Sequence, residues 1–419
     1  MLLMSRIVFL GIFLALVVGI EFYVYFALKA TFRTGWAMKA SRIGYFVSLG
    51  LEIAAIITIF TVFSGGYSRA NFWVNLLMGL GFVFIISKLM LSVFFLIDDI
   101  ARLFQWLFKK GAAAVATEPD PVVMPSRRKF MGQLGLVIVG IPFAGALYGM
   151  LKGKYDFTLH KETLRFSDLP EAFDGMKIVQ ISDIHAGTFD SIAGVQEGLD
   201  LIMAQKPDLI LFTGDLVNNL ATEAEDYIEM FARLTAPMGK FSVLGNHDYG
   251  HYYQFDSKEA KVANHLAIRK QNERMGFQLL NNAHIRLEKD GQNIVLAGVE
   301  NWGSPPFPQY GDLDVAFEGV EDSEFTVLMS HDPSHWDAQV RDHRKHVHLQ
   351  LSGHTHGAQF GVEIPGVKWS PAQWRYKQWA GLYSDNEQHL YVNRGFGHIG
   401  FPGRVGIWPE VTLIELKRA

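Results

Sequence analysis

Residues 177–185 read KIVQISDIH: a short β-branched run, Lys177–Ser182, that stops abruptly at Asp183-Ile184-His185. Such a run suits a buried strand, and the polar residues after it sit where α/β folds build their sites. Outward from this stretch the pattern recurs. Ser191–Ala204 has helical spacing through Ile192, Val195, Leu199 and Leu201. Asp208–Thr213 is a second apolar run and ends at Gly214-Asp215. Glu223–Leu234 reads as a helix, and Phe241–Leu244 as a strand ending at Gly245-Asn246-His247-Asp248. Ile294–Ala297, Phe325–Met329 and His348–Leu351 are further apolar runs, and a last strand is expected at Val411–Leu416. Alternating strands and helices place this part of the chain in the α/β class.

Five short blocks follow predicted strands: Asp183-Ile184-His185, Gly214-Asp215, Gly245-Asn246-His247-Asp248, His331, and Gly353-His354-Thr355-His356. Five of the chain's 15 histidines therefore stand directly after strands, joined by two aspartates and an asparagine. Carboxylate, imidazole and amide donors at i and i+2 can converge on a cation. Taken singly, each block is as well explained by a turn Asp or a surface His. The ordered set is not. With no cysteine in the chain, disulfides, thiolate metal sites and cysteine nucleophiles are excluded.

This ordered set, D-x-H, GD, GNH-D/E, H, GH-x-H, resembles the calcineurin-like metallophosphoesterases over roughly Met176–Leu416. The flanking SHDPSHW and Asn393-Arg394-Gly395-Phe396-Gly397 look like the bacterial branch with membrane-anchored or exported members. The resemblance implies an α/β/β/α sandwich of two mixed sheets and two divalent metal ions. Asp183, His185 and His356 would hold the first, Asn246, His331 and His354 the second, and Asp215 would bridge them. The donor set suits Mn, Fe or Zn better than Mg or Ca. The implied nucleophile is a metal-bridging hydroxide. His247 would face the phosphate and act on the leaving oxygen. Asp248 reads equally as a loop support or an exposed acid. Protein-phosphatase members carry GD-x-x-D, whose second Asp orients the catalytic His; here Asn218 stands in its place. That departure favours phosphodiesters or pyrophosphates over phosphoproteins. Two rival readings are a non-enzymatic membrane sensor with a relic domain, and a transporter-like membrane protein with an accessory hydrolase.

Upstream the texture changes. Residues 1–151 carry 13 Lys/Arg against 6 Asp/Glu, whereas residues 152–419 carry 25 against 36. The acidic second part argues against a nucleic-acid partner. Four apolar stretches, 7–28, 44–64, 72–97 and 130–151, are long enough to cross a bilayer. This divides the chain into a transmembrane region, 1–151, and a metallophosphoesterase domain, 152–419. The loops 29–43 and 98–129 hold ten basic residues and share one side, which the positive-inside rule makes cytoplasmic. Both ends then face out of a bacterial inner membrane, catalytic domain included. Ile100–Lys110 suits an interfacial helix, and Gly111–Pro125 a linker. Ser126-Arg127-Arg128-Lys129-Phe130-Met131 reads either as a twin-arginine export signal, with cleavage near Ala144 and Ala146, or as a basic anchor.

Two further expectations concern side chains. Glu21, Glu52 and Lys88 lie inside the first three spans, each about 10–14 Å from the same membrane face; they read either as a buried Glu–Lys–Glu cluster or as a Lys88 that snorkels to the headgroups beside two protonated glutamates. Phe360, Trp369, Trp374, Tyr376, Trp379 and Tyr383, with Trp302, Phe307 and Tyr310, either pack the domain or form a lip for acyl chains or the membrane surface. The expected partners are thus a phosphate ester, with lipid-linked forms as a candidate class, and the membrane.

Overall fold

The computed structural model describes residues 2–64, 71–113 and 125–419. The chain divides near Leu147 into two compact units.

The first unit is built from α1 (Leu2–Thr31), α2 (Gly35–Ser64), α3 (Phe72–Ala113) and α4 (Pro125–Leu151). Among the described residues, Gly35–Ile59, Phe72–Phe108 and Lys129–Leu151 are long and apolar enough to cross a membrane. The expected first span, 7–28, falls within α1 but partly outside the described side chains. α3 differs from expectation. It runs on through the stretch 100–110 instead of breaking into a separate interfacial helix. Nothing between Ile97 and Lys110 interrupts it: no Pro or Gly intervenes, and Asp98 pairs with Arg102 one turn on at 2.7 Å. At 42 residues it measures roughly 63 Å, about twice a hydrocarbon core. Most of the expected linker, residues 114–124, and the side chains of Arg127 and Arg128 lie outside the described residues.

The three intramembrane charges meet. Lys88 Nζ lies 2.9 Å from Glu21 Oε1 and 2.8 Å from Glu52 Oε1, and all three residues are buried. Tyr45 donates to the Glu21 carbonyl at 3.2 Å and offers its ring to Lys88 at 4.9 Å. The apolar cost of each charge is met by its partners rather than by lipid.

The second unit contains β1 (Thr158–Phe166), β2 (Lys177–Ile181), β3 (Leu209–Phe212), β4 (Lys240–Ser242), β5 (Gln278–Leu279), β6 (Ala283–Lys289) and β7 (Gln292–Gly298). It continues with β8 (Thr326–Met329), β9 (Leu349–Ser352), β10 (Val362–Ile364), β11 (Val367–Trp369), β12 (Gly381–Asp385), β13 (Gln388–Val392) and β14 (Glu410–Arg418). Two six-stranded sheets form, in the orders β1-β14-β2-β3-β4-β5 and β12-β13-β9-β8-β7-β6, and β10 pairs with β11 apart from both. Both large sheets are mixed: β14–β2, β6–β7 and β12–β13 pair antiparallel, and the other neighbours pair parallel.

Alternating side chains explain the layering. Ile178, Leu209 and Leu211 of the first sheet meet Leu296, Val327, Leu349 and Leu351 of the second in one core. Val179, Ile181, Ile210 and Phe212 point the other way, against α5 (Ile192–Ala204), α6 (Ile228–Ala232) and α7 (Lys258–Arg274). On the far side, Ala297, Leu328, Leu390 and Val392 pack on α8 (Leu313–Ala316) and on Trp336 and Val340. The result is the helix/sheet/sheet/helix sandwich that the motif order implied. Ser191 caps α5 by accepting from the Gly194 amide at 3.1 Å, which sets its start where the sequence placed it. The expected helix 223–234 shrinks to α6. Glu223 is spent elsewhere: its carboxylate accepts the amides of Asn218, Asn219 and Leu220 at 2.6, 3.1 and 2.9 Å and closes a turn.

Candidate metal centre

Strands β2, β3, β4, β8 and β9 end on the same side, and each delivers one block. Asp183 and His185 follow β2, Asp215 follows β3, Asn246 and His247 follow β4, His331 follows β8, and His354 and His356 follow β9. Strands buried on both faces are fixed in register, so the first residues beyond them are positioned with little freedom.

The side chains gather into two groups. Asp183, His185 and His356 place one ligand atom each within 4.8 Å of one another, as do Asp215, His331 and His354. Asn246 joins the second group, its Oδ1 2.7 Å from His354 Nδ1 and 3.2 Å from His331 Nε2. Asp215 stands between the groups, with Oδ2 3.5 Å from His185 Nε2 and 3.2 Å from His331 Nε2. His331 Nδ1 is engaged by the Thr213 carbonyl at 2.7 Å, which turns Nε2 toward the centre.

Four features fit these residues to cations. Both ring nitrogens of buried His185 have no hydrogen-bond partner among the described residues, and buried His356 turns Nε2 to Asp183 Oδ1 at 3.2 Å. Buried polar atoms left in this way are costly unless something binds them. Asp183, His185, Asp215, His354 and His356 all adopt positive φ, between 46° and 70°. Left-handed backbone at non-glycine residues costs about 1–3 kcal/mol each and marks sites whose geometry is imposed by their surroundings. Close approach is secured by glycine: a Cβ on Gly353 would fall 2.2 Å from Asp183 Oδ2 and 1.9 Å from Ser182 Oγ. Finally, both carboxylates stay ionised. Burial opposes their charge, but His356 beside Asp183 and His331 beside Asp215 outweigh it and hold both well below the usual range.

His247 is half-buried beside the groups and belongs to neither. Its ring meets that of His185 edge-on at 5.0 Å and that of Tyr252 at 4.6 Å. Its Nδ1 lies 2.7 Å from the main-chain carbonyl of Asn218. A carbonyl can only accept, so Nδ1 carries a proton and Nε2 is the nitrogen free to exchange one. Asn218 thus does orient His247, but through its backbone; its side-chain Oδ1 has no hydrogen-bond partner among the described residues. Asp248 is fully buried and supports the loops. It accepts from the amides of Gly245, Asp215 and Leu216 at 2.9 Å each, and of Val217 at 3.4 Å. Burial and the nearby Asp215 charge push its carboxyl up to about 7 against the bonds from the Gly245 and Asp215 amides.

Several residues of the site lay outside the motifs. The Tyr376 hydroxyl is 2.7 Å from His354 Nε2, and buried Asp332 Oδ2 is 3.5 Å from the same nitrogen. Asn246 Nδ2 donates to the Tyr252 hydroxyl at 3.0 Å, which leaves Oδ1 facing the centre. Asp332, inside SHDPSHW, carried a weak signal; Tyr376 stood out only as one of the aromatic cluster, and Tyr252, in a loop, carried no signal. Of the aromatic cluster, Trp379 packs inside, Phe360, Tyr376 and Tyr383 are half-buried, and Trp369 and Trp374 are exposed.

Residues 176–358 match the family model for calcineurin-like phosphoesterases, and residues 5–154 match that for the probable transmembrane domain of such enzymes. A metallophosphoesterase of Bacillus subtilis, YkuE, is 33% identical over 300 residues, covering 70% of this chain and 98% of that protein. The phosphodiesterase YaeI of Escherichia coli is 26% identical over 298 residues, covering 70% of this chain and 100% of that protein. The UDP-2,3-diacylglucosamine pyrophosphatase LpxG of Chlamydia muridarum is 28% identical over 284 residues, covering 55% and 81% respectively. With strand-end blocks, sandwich fold and apolar helices all in agreement, the chain belongs to the calcineurin-like metallophosphoesterases and carries a transmembrane domain at its N-terminal side.

Proposed function

We propose that this chain is a membrane-anchored, dinuclear-metal phosphoesterase acting on phosphodiester or pyrophosphate bonds, with lipid-linked phosphates as its substrate class. The observation that carries it is Asp215, whose one carboxylate oxygen reaches toward both ligand groups. Asp183, His185 and His356 would hold one cation and Asn246, His331 and His354 the other, with Asp215 between the two groups as the ligand they would share. Mn, Fe or Zn held there would supply Lewis acidity and an activated water. The chain's own contribution is positional. Thr213, Tyr376 and Tyr252 aim His331, His354 and Asn246. His247, held through Nδ1, delivers a proton from Nε2 to the leaving oxygen.

Substrate preference follows from what holds His247. A neutral carbonyl stabilises an imidazolium less than a carboxylate does. The site therefore suits leaving groups that need modest help, such as a phosphate or an acidic alcohol. Two relatives whose names state phosphodiesterase and pyrophosphatase activities point the same way. The excess of basic residues in the loops 29–43 and 98–129 supports a cytoplasmic position for those loops and an extracytoplasmic catalytic domain.

The test is hydrolysis by the full chain, purified in detergent and reconstituted with Mn, Fe or Zn, across monoesters, diesters and lipid pyrophosphates. The expected result is two metals per chain, preference for diesters or pyrophosphates, and loss of both metal and turnover in Asp215→Ala. A single metal, or a clear preference for monoesters, overturns the reading.

A further inference from the structure

The β10–β11 hairpin presents its two faces in the reverse of the order expected for a domain in water. Val362 pairs with Trp369 and Ile364 with Val367, and between them Glu363 pairs with Lys368. Alternation puts the four apolar residues on one face and the two charges on the other. The charged face is tied down by the domain itself: Glu363 is half-buried, and Lys368, though exposed, reaches back to protein partners. Glu363 receives Arg394 through two bonds, at 2.5 and 2.8 Å. Lys368 donates to the Ala380 carbonyl at 2.6 Å and lies 5.1 Å from the Trp379 ring. The apolar face is turned outward: Val362 is 42% exposed, Ile364 59%, Val367 49% and Trp369 42%. Trp374, 77% exposed, extends the same patch, its ring 6.1 Å from that of Trp369.

Antiparallel strands with one wet face place polar residues on it. Here the domain instead engages both charges with specific partners and leaves the apolar side uncovered. Beyond residue 152, twelve large apolar side chains are exposed, and five of them fall between Val362 and Trp374. Singly such residues need no explanation; a concentrated patch does.

We propose that the apolar face of β10–β11, together with Trp374, docks in the interfacial layer of a lipid bilayer. Three observations select lipid over another occupant. The chain carries its own transmembrane domain, so a bilayer is always within reach. Two tryptophans sit at the exposed patch, the side chain most at home between headgroups and acyl chains. Arg375 and Lys377 are exposed beside it, on a domain that is otherwise acidic, and complement anionic headgroups. The docking surface is also wired to the candidate metal centre. Ser370, the residue after β11, donates to the Gly357 carbonyl at 2.6 Å, one residue beyond His356. Two residues past Trp374, Tyr376 touches His354 at 2.7 Å. Seating the hairpin in lipid thus sets the segment that borders the site at the height of the lipid headgroups. The inference rests on membrane residence alone and not on the substrate reading.

The chain has no cysteine, so single sites can be labelled in the full-length protein without further change. Ile364→Cys and Val367→Cys would carry an environment-sensitive nitrobenzoxadiazole dye, with Glu288→Cys, exposed on β6, as the reference. The proteins are reconstituted in vesicles of phosphatidylethanolamine and phosphatidylglycerol. Dyes at 364 and 367 should emit further to the blue, be quenched by nitroxide-bearing lipids, and show several-fold weaker iodide quenching than the dye at 288. Iodide access equal to that at 288, with no quenching by lipid nitroxides, overturns the proposal. Protection from iodide that increases with protein density but is insensitive to lipid nitroxides would identify a second copy of the chain as the occupant, and overturns it equally. Neither readout involves hydrolysis, so failure of the substrate assignment leaves this test intact.

Discussion

Replacing Glu223 by Gln should alter stability in a way that depends on pH. Glu223 is buried, and burial pushes its carboxyl up to about 7 even though the amides of Leu220, Asn218 and Asn219 all favour its charge. The folded value lies above the ordinary 4.5, so the folded state holds the proton more tightly than the unfolded chain. The associated stabilisation is fully present below about 4.5 and is lost as pH rises through about 7. The interval between those values corresponds to about 3 kcal/mol. Glutamine cannot ionise and so lacks this dependence. It also carries one acceptor oxygen, not two. The Asn218 amide, now received by Oε2 at 2.6 Å, would face an NH₂ group, at a cost of about 1–3 kcal/mol. At pH 5 Glu223→Gln should therefore unfold more readily than the parent. At pH 8.5 the gap should close or reverse. The assay is thermal unfolding of the detergent-purified full chain, parent and variant side by side in chelator, so that other titrating groups cancel. A deficit that stays constant between pH 5 and 8.5 would refute the raised carboxyl and the reasoning built on it.

His247→Ala should slow turnover by about 10²–10⁴-fold on esters with poor leaving groups, and by much less on p-nitrophenyl esters, with both metals retained by elemental analysis; an equal loss on both substrates would remove the proton-transfer role. Lys88→Met leaves two buried carboxylates without their cation and should destabilise the membrane unit by about 3–5 kcal/mol. Adding Glu21→Gln and Glu52→Gln should restore most of that, and equal stability of single and triple variants would refute the cluster. A topology reporter fused after Leu151 should be active outside the cytoplasm; activity confined to the cytoplasm would reverse the assigned orientation.

How far sequence reading reached depended on how completely an element is buried. β2, β3, β8 and β9 are covered on both faces, so their apolar runs are unbroken and the polar residue ending each run stands out. The site residues inherit that clarity, because they are those ending residues. Where burial is one-sided or the work is done by main chain, the signal fades. α7 (Lys258–Arg274) buries only Ile268, Gln271 and Asn272, so no apolar stripe announces it. β1 packs at a sheet edge with mixed burial and was equally silent. Tyr376 and Tyr252 come from loops whose path depends on the rest of the fold.

Asn218 shows how a side-chain motif can be right about topology and incomplete about chemistry. A motif compares side chains, and by that comparison the orienting carboxylate is missing. The structure supplies the missing acceptor from the same residue's backbone, at 2.7 Å from Nδ1. That carbonyl is held in place by Glu223, which accepts the Asn219 amide of the same peptide group at 3.1 Å. Orientation of His247 therefore does not require Asp at position 218, whereas charge does. A carboxylate would both aim the ring and stabilise its protonated form; a carbonyl aims it with far less bias toward the imidazolium. Asn218→Asp would leave the backbone contact intact and put a carboxylate beside it, so any change it brings to the pH profile reports charge and not orientation. An unchanged profile would mean that the side chain at 218 does not reach the ring, and that leaving-group preference must be sought in the residues facing His247 Nε2.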